Sequence, residues 1–164
     1  QLARWMGAFV YTSTSGEEKA KWCSECGADL VLDYAKDDIV KEVLNKCPEG
    51  VNLVWDTSQN PNFDLSISLL AKKGKIILMA GSQARPEFPV GPFYQKECTM
   101  YGFRLTTTSQ EVLRESAELI NILFEEKKIR VKIYDVFPLQ DASKAHFLLE
   151  NDKKVWGKIV LKVS

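Results

Sequence analysis

The fold is decided by the segment between residues 51 and 80, which reads VNLVWDTSQNPNFDLSISLLAKKGKIILMA. An apolar, β-branched run opens this segment at 51–56, and a second one closes it at 75–80. Between the two runs, apolar residues recur at helical spacing: Phe63, Ile67 and Leu70. A strand, a helix and a second strand in this order form a crossover unit, which predicts two parallel strands of one sheet.

The same alternation continues on both sides of this segment. Further strands are predicted at 8–14, 30–33 and 98–104, and a helical period runs from 39 to 47. The chain is therefore predicted to have an α/β fold with a mostly parallel sheet. The proline-rich stretch 82–92 is predicted to be a loop at the carboxyl end of a strand, the edge at which ligands bind in open α/β sheets.

Local signals mark the helix ends. SGEE at 15–18 and TSQE at 108–111 have capping-box spacing, which predicts a helix start at each, and Gly27 is predicted to end a helix. After a helix at 110–126, the pattern changes to a strand at 131–137, a helix at 141–150 and a strand at 158–163, so this tail is predicted to belong to a second unit.

Length and composition are typical of an ordinary soluble domain. The chain has 164 residues, of which 45% are hydrophobic and 27% charged, and its apolar runs are far shorter than the ~20 residues of a membrane span. Twenty-two basic residues balance 22 acidic ones, which argues against nucleic acid or a membrane as partner. Four scattered cysteines and the lack of a visible secretory signal indicate a reducing, cytoplasmic location.

Several short motifs recur in an order and spacing that is specific to one protein family. They are QLAR at 1–4, CGAD at 26–29, VWD at 54–56, GKII at 74–77, the segment 138–146 and GKIVL at 157–161. On these motifs the chain resembles the medium-chain dehydrogenase/reductase superfamily, in its zinc-independent quinone oxidoreductase branch. The resemblance implies a Rossmann-type doubly wound parallel sheet at 1–130, followed by a segment at 131–164 that returns to a GroES-like catalytic domain.

In that family, the catalytic domain, the first strand and the glycine-rich phosphate turn would all precede Gln1. The first strand is central in the strand order 3-2-1-4-5-6, so its absence leaves two strands with unpaired edges. Three explanations are open: a separate chain supplies the strand, the sequence is a processed or truncated piece, or the strands re-pair. We favour the second, because the sequence also lacks an initiating Met.

The resemblance also implies a cofactor, because the residues after the family's second strand select between NAD and NADP. An acid there binds the ribose of NAD, whereas hydroxyls and a cation leave room for the extra phosphate of NADP. Residues 12–16 read TSTSG, and the first acid is Glu17. The preferred cofactor is therefore NADP(H). The side chains implied around its 2′-phosphate are Ser13, Ser15, Lys19 and Tyr34, with Lys153 or Lys154 from the tail.

A structural interpretation of the same residues is also open. Ser15 is then an N-cap and Lys19 a solvated helix residue. Glu17 and Glu18 count against a phosphate at this place, since they bring negative charge to it.

The nicotinamide end of the cofactor would lie against later strands. Gly81 follows the strand at 75–80 and permits close approach of the ring, although a turn glycine is the alternative. Backbone groups of Phe103 and Leu105 would hold the carboxamide. Thr57 would line the cleft after Asp56, which we do not expect to transfer a proton; Gln59 replaces a glycine usual in the family.

Two features are expected to be structural. CSEC at 23–26 falls near a helix end and lacks the four ligands of a zinc site, so we expect one buried thiol beside a surface one. His146, the only histidine, has no carboxylate or cysteine cluster near it in sequence. No metal site is predicted.

The implied function is hydride transfer from NADPH to a quinone or an enone-type carbonyl compound by the parent protein, with this chain alone expected to be inactive. No catalytic side chain is assigned. The alternatives are a zinc-dependent alcohol dehydrogenase and a non-catalytic binding module without the phosphate turn. A homodimer is expected through the edge strand at 98–104, which pairs between subunits in many relatives.

Overall fold

The computed structural model describes residues 1–152 and 154–163, in which helices and strands alternate. The elements in chain order are α1 (Leu2–Trp5), β1 (Tyr11–Thr14), α2 (Glu17–Glu25), β2 (Leu30–Asp33), α3 (Ile39–Lys46), β3 (Val51–Asp56), α4 (Phe63–Leu69), β4 (Leu70–Leu78), α5 (Val90–Gln95), β5 (Thr99–Gly102), α6 (Gln110–Glu125), β6 (Ile133–Pro138), α7 (Ala142–Asn151) and β7 (Lys158–Lys162). The predicted α/β class is confirmed, and all strand pairs in the described residues are parallel.

The parallel strands of the first unit form two separate sheets. β1 pairs with β2, and β3, β4 and β5 form a three-stranded sheet in that order. Among residues 1–152 and 154–163, no ladder joins β1 to β3. The strands on the two sides of the expected gap have therefore not re-paired, so the third of the three explanations does not describe this structure.

The core of the three-stranded sheet lies on one of its faces. Ile76 in β4 is 0% exposed and packs with Phe63, Ile67 and Leu70 of the α4–β4 segment. Paired residues of parallel strands point to the same face, so the register places Trp55, Ile77 and Tyr101 on the opposite face. Trp55 and Tyr101 are 60% and 50% exposed.

Several predicted boundaries need correction. The predicted loop at 82–92 contains the start of α5, with Pro92 in its first turn; the structure accommodates this proline because N–H groups of a first turn need no partner within the helix. α2 has Gly16 rather than Ser15 as its N-cap. Ser109, rather than Thr108, caps the start of α6, since the Ser109 hydroxyl accepts a hydrogen bond from the Val112 N–H at 3.4 Å.

Gly27 ends α2 as predicted. It has φ +93°, and its N–H donates to the Ser24 carbonyl while the Ala28 N–H donates to the Cys23 carbonyl. This pair of bonds is the Schellman motif, which gives partners to carbonyls at a helix end.

The chain divides into two compact units, one mainly of Ala3–Ala117 and one running from Glu118 onward. In the second unit β6 and β7 pair in parallel and α7 connects them. The Lys132 ammonium lies 4.0 Å from the centre of the Trp156 ring, within cation–π distance. A functional boundary between residues 130 and 131 stays a prediction. No helix in the described ranges is long and apolar enough to cross a membrane.

Candidate cofactor site

Two of the residues predicted to surround a 2′-phosphate meet at the carboxyl end of the β1–β2 sheet. The Ser15 and Tyr34 hydroxyl oxygens lie 2.9 Å apart, within hydrogen-bond distance. The sheet brings them together, because Thr14 pairs with Asp33 and the Tyr34 N–H donates to the Thr14 carbonyl at 3.2 Å. Ser15 therefore does not act as an N-cap, and its hydroxyl faces a neighbouring strand end instead.

The start of α2 lies directly beside this pair. Gly16 has φ +86° and ψ 142°, a conformation that only glycine adopts readily, and no side chain caps the helix here. A Cβ built on Gly16 meets no atom within 4 Å, so the space beside it is open. Helix N-termini present unpaired N–H groups that suit anions.

The charged residues near the start of α2 are mixed in sign. Lys19 is half-buried, whereas Glu17 is exposed, and Ser13 is exposed at the end of β1. The Asp33 carboxylate has partners close to it in sequence: it accepts a hydrogen bond from the Ala35 N–H at 3.0 Å and lies 3.5 Å from the Lys36 ammonium. The Ser15 and Tyr34 hydroxyls thus meet at a strand end where the nearest strand carboxylate, that of Asp33, already has partners.

The residues predicted for the nicotinamide end follow three paired strands. Asp56, Leu78 and Gly102 lie side by side in register, so Thr57, Gly81 and Phe103 come after them at one edge of the sheet. Thr57 is exposed. The Asp56 carboxylate accepts from the Ser58 N–H at 2.8 Å, which closes the turn after β3 even though Gln59 stands in place of a glycine.

Gly81 is approached closely by another part of this chain, the loop after β3. Gly81 has φ +78°, and a Cβ there would lie 3.0 Å from the Gln59 carbonyl oxygen and 3.1 Å from Pro61 Cδ. The loop after β3 therefore requires glycine at this position whether or not a ligand binds. A contact with a nicotinamide ring stays a prediction.

Some of the backbone groups near the end of β5 already form hydrogen bonds within the protein. The Phe103 N–H donates to the Leu78 carbonyl at 2.9 Å, and the Leu105 carbonyl accepts from the Thr108 N–H at 3.1 Å. A carboxamide held here would therefore use the Phe103 carbonyl or the Leu105 N–H, and this contact also stays a prediction.

Two lysines of the tail were predicted to reach the 2′-phosphate. Lys153 lies outside the described residues, and Lys154 is exposed in the second unit.

Cys23 and Cys26 are both half-buried free thiols, rather than one buried and one exposed. Burial, and then the neighbouring Cys26, raises the pKa of the Cys23 thiol, which disfavours the reactive thiolate.

His146 is exposed on α7 rather than packed in a core. Among the described residues, no group of three or more His, Cys, Asp or Glu side chains could hold a metal ion.

The geometry and the sequence agree with one protein family. Residues 1–121 match the family model described as zinc-binding dehydrogenase. The chain belongs to this family. Its curated relatives include a zinc-type alcohol dehydrogenase-like protein of Schizosaccharomyces pombe, which is 26% identical over 100% of this chain and 48% of that protein. Mouse quinone oxidoreductase is 24% identical over 98% of the chain and 49% of its own length. The chain thus spans about half the length of these relatives.

Solved structures share the fold. A mycobacterial quinone oxidoreductase is 31% identical and superposes with a TM-score of 0.83, over 99% of this chain and 51% of that one. A 2-haloacrylate reductase has a TM-score of 0.85 at 21% identity, over 99% of this chain and 52% of that one. The predicted Rossmann-type α/β fold of the medium-chain dehydrogenase/reductase superfamily is confirmed.

Proposed function

We propose that this chain is the cofactor-binding part of an NADPH-dependent oxidoreductase that transfers hydride to a quinone or an enone-type carbonyl compound. The observation that carries the proposal is the Ser15–Tyr34 hydroxyl pair, 2.9 Å apart at the open start of α2. Two hydroxyls beside a helix N-terminus suit a phosphate group. An acid that would hold the ribose of NAD is missing from residues 12–16.

Relatives support the same proposal by their names. Mouse quinone oxidoreductase is one of them. The NADPH-dependent curcumin reductase of Escherichia coli is 23% identical over 100% of the chain and 51% of its own length.

The residues of this chain would bind and orient the cofactor. Ser13, Ser15 and Tyr34 would hydrogen-bond the 2′-phosphate, and the Lys19 ammonium would neutralise part of its charge. Gly81 and the backbone at Phe103 would limit where the nicotinamide lies. The bound cofactor supplies the hydride, while the protein contributes position and electrostatics.

The 2′-phosphate assignment is tested by reversing one charge. Lys19→Glu should weaken NADPH binding by more than about tenfold and NADH binding by less than about threefold, because only NADPH carries the phosphate. Lys21→Glu makes the same charge change on an exposed residue of the same helix and serves as the control. Cofactor fluorescence titration measures both constants. Equal losses for the two cofactors with Lys19→Glu would undo the assignment.

A zinc-dependent alcohol dehydrogenase is the second candidate, favoured by the S. pombe relative. Metal analysis of the complete natural protein separates the two candidates. One tightly bound zinc per subunit supports the dehydrogenase, and its absence supports the quinone or enone reductase. A cytoplasmic location fits both and stays a proposal.

We also propose that β5 is the contact edge of a homodimer. β5 ends the three-stranded sheet, and Thr99 and Tyr101 on it are exposed. An unpaired edge strand can extend the sheet through a second copy. Light scattering should give twice the subunit mass, and a monomer at all concentrations would contradict this proposal.

A further inference from the structure

A lysine side chain closes the C-terminal end of α4. The Lys96 ammonium lies 2.7 Å from the Ile67 carbonyl oxygen, 3.2 Å from that of Ser68 and 2.7 Å from that of Leu70. An ammonium group has three N–H donors and no acceptor. The three protons of Lys96 therefore match three carbonyl oxygens.

Two of these oxygens, those of Ile67 and Ser68, belong to the last turn of α4, and that of Ile67 also accepts a hydrogen bond from the Leu70 N–H. The last carbonyls of a helix have no partner inside the helix. α4 has no glycine at its end; the chain enters β4 directly at Leu70, with φ −69° and ψ 139°. Ile67 and Leu70 are each 1% exposed, whereas Ser68 is exposed, so only the Ile67 and Leu70 part of this turn is shielded from water. A cation is also the charge that a helix C-terminus favours.

The backbone next to Lys96 holds the same region. The Lys96 carbonyl accepts from the Lys73 N–H at 2.7 Å, and the Glu97 carboxylate lies 2.8 Å from the Lys72 ammonium. Residues 70–75 are the stretch of β4 in which the register to β3 is irregular. The turn at Lys96 and Glu97 therefore bonds to the part of β4 at 70–75, where the pairing of β4 with β3 is irregular.

We propose that the carbonyl oxygens of Ile67, Ser68 and Leu70 form a site for a small monovalent cation, and that the Lys96 ammonium fills this site as a tethered ligand. Free ammonium is the ion that fits it best, since it brings N–H donors to the same oxygens. Potassium is the second, because carbonyl oxygens replace its hydration shell. The site lies at the amino end of β4, whereas Gly81 follows its carboxyl end, so the inference is independent of the proposed cofactor.

The test removes the tethered amine and offers a free one. Thermal unfolding of the complete natural protein is compared for native, Lys96→Ala and Lys96→Met in ammonium, potassium and tetramethylammonium chloride at equal ionic strength. Both variants should melt at least about 5 °C lower in tetramethylammonium. Ammonium should recover half of that loss or more in Lys96→Ala alone, because methionine keeps the space filled. No loss, or the same melting temperature of Lys96→Ala in all three salts, would overturn the proposal.

A measurement on the native protein covers the case in which the variants do not fold. An amine-acetylating reagent in brief contact with folded protein should modify Lys96 several-fold more slowly than the exposed Lys75, as read by peptide mass spectrometry. In denaturant the two lysines should react alike. Equal rates in the folded protein would contradict a filled carbonyl site.

Discussion

Gly50 is the position at which a single added methyl group should cost the most stability. It is buried, with φ +86°, and a Cβ there would lie 2.6 Å from both the Ala71 nitrogen and the Leu70 carbonyl carbon. Those atoms have little freedom to move, because Leu70 is 1% exposed in the core. An alanine in a left-handed conformation costs about 1–2 kcal/mol. Forcing extra volume against packed backbone adds about 1–3 kcal/mol.

Gly50→Ala should therefore lose about 2–5 kcal/mol, a large part of the ~5–15 kcal/mol that stabilises a typical domain. Gly7→Ala is the matched control, since Gly7 has φ +89° but no atom lies within 4 Å of the place that its added methyl group would take. It should lose only the conformational part, about 1–2 kcal/mol. Urea unfolding followed by tryptophan fluorescence measures both losses. Equal losses would refute the argument from close backbone contact.

Two further predictions concern hydrogen-bonded pairs. Tyr34→Phe removes the partner of the Ser15 hydroxyl, so NADPH affinity should fall about threefold to tenfold while NADH affinity stays constant in a fluorescence titration; a loss shared by both cofactors would contradict the role of the pair. Hydrogen bonding and charge from Lys72 lower the pKa of Glu97, and the same bond raises the pKa of Lys72. The stability difference between native protein and Glu97→Gln should therefore be present at neutral pH, disappear as the pH falls through the lowered carboxyl pKa, and disappear again as it rises through the raised lysine pKa. Urea unfolding at several pH values measures this difference in stability. If it is unchanged in acid, the Glu97–Lys72 ion pair is not its cause.

The regular strands were predictable because their signals are local. Runs of β-branched and apolar residues located β2 and β3 at their observed ends, 30–33 and 51–56. β4 begins earlier than predicted, at Leu70, because α4 runs into it without a glycine or proline. The Lys96 side chain that permits this lies 26 residues further along the chain, beyond the reach of any local pattern.

The contacts at the candidate site could not be predicted from the sequence. The spacing of Ser15 and Glu18 favoured a helix cap, yet the Ser15 hydroxyl meets that of Tyr34, 19 residues later. Strand pairing creates that contact, and periodicity does not show which strands will pair. Gly81 was predicted to allow a close approach, but the approaching group is the loop at Gln59 and Pro61, which a glycine alone does not identify.

The proposed NADPH-dependent oxidoreductase is tested most decisively by cofactor oxidation with the complete natural protein. Nicotinamide absorbance would be followed with NADPH and then NADH, in the presence of a quinone or an enone. We predict acceptor-dependent loss of NADPH, with kcat/KM at least about tenfold above that for NADH. If folded protein of full natural length fails to oxidise NADPH with any quinone or enone, the proposed function is wrong.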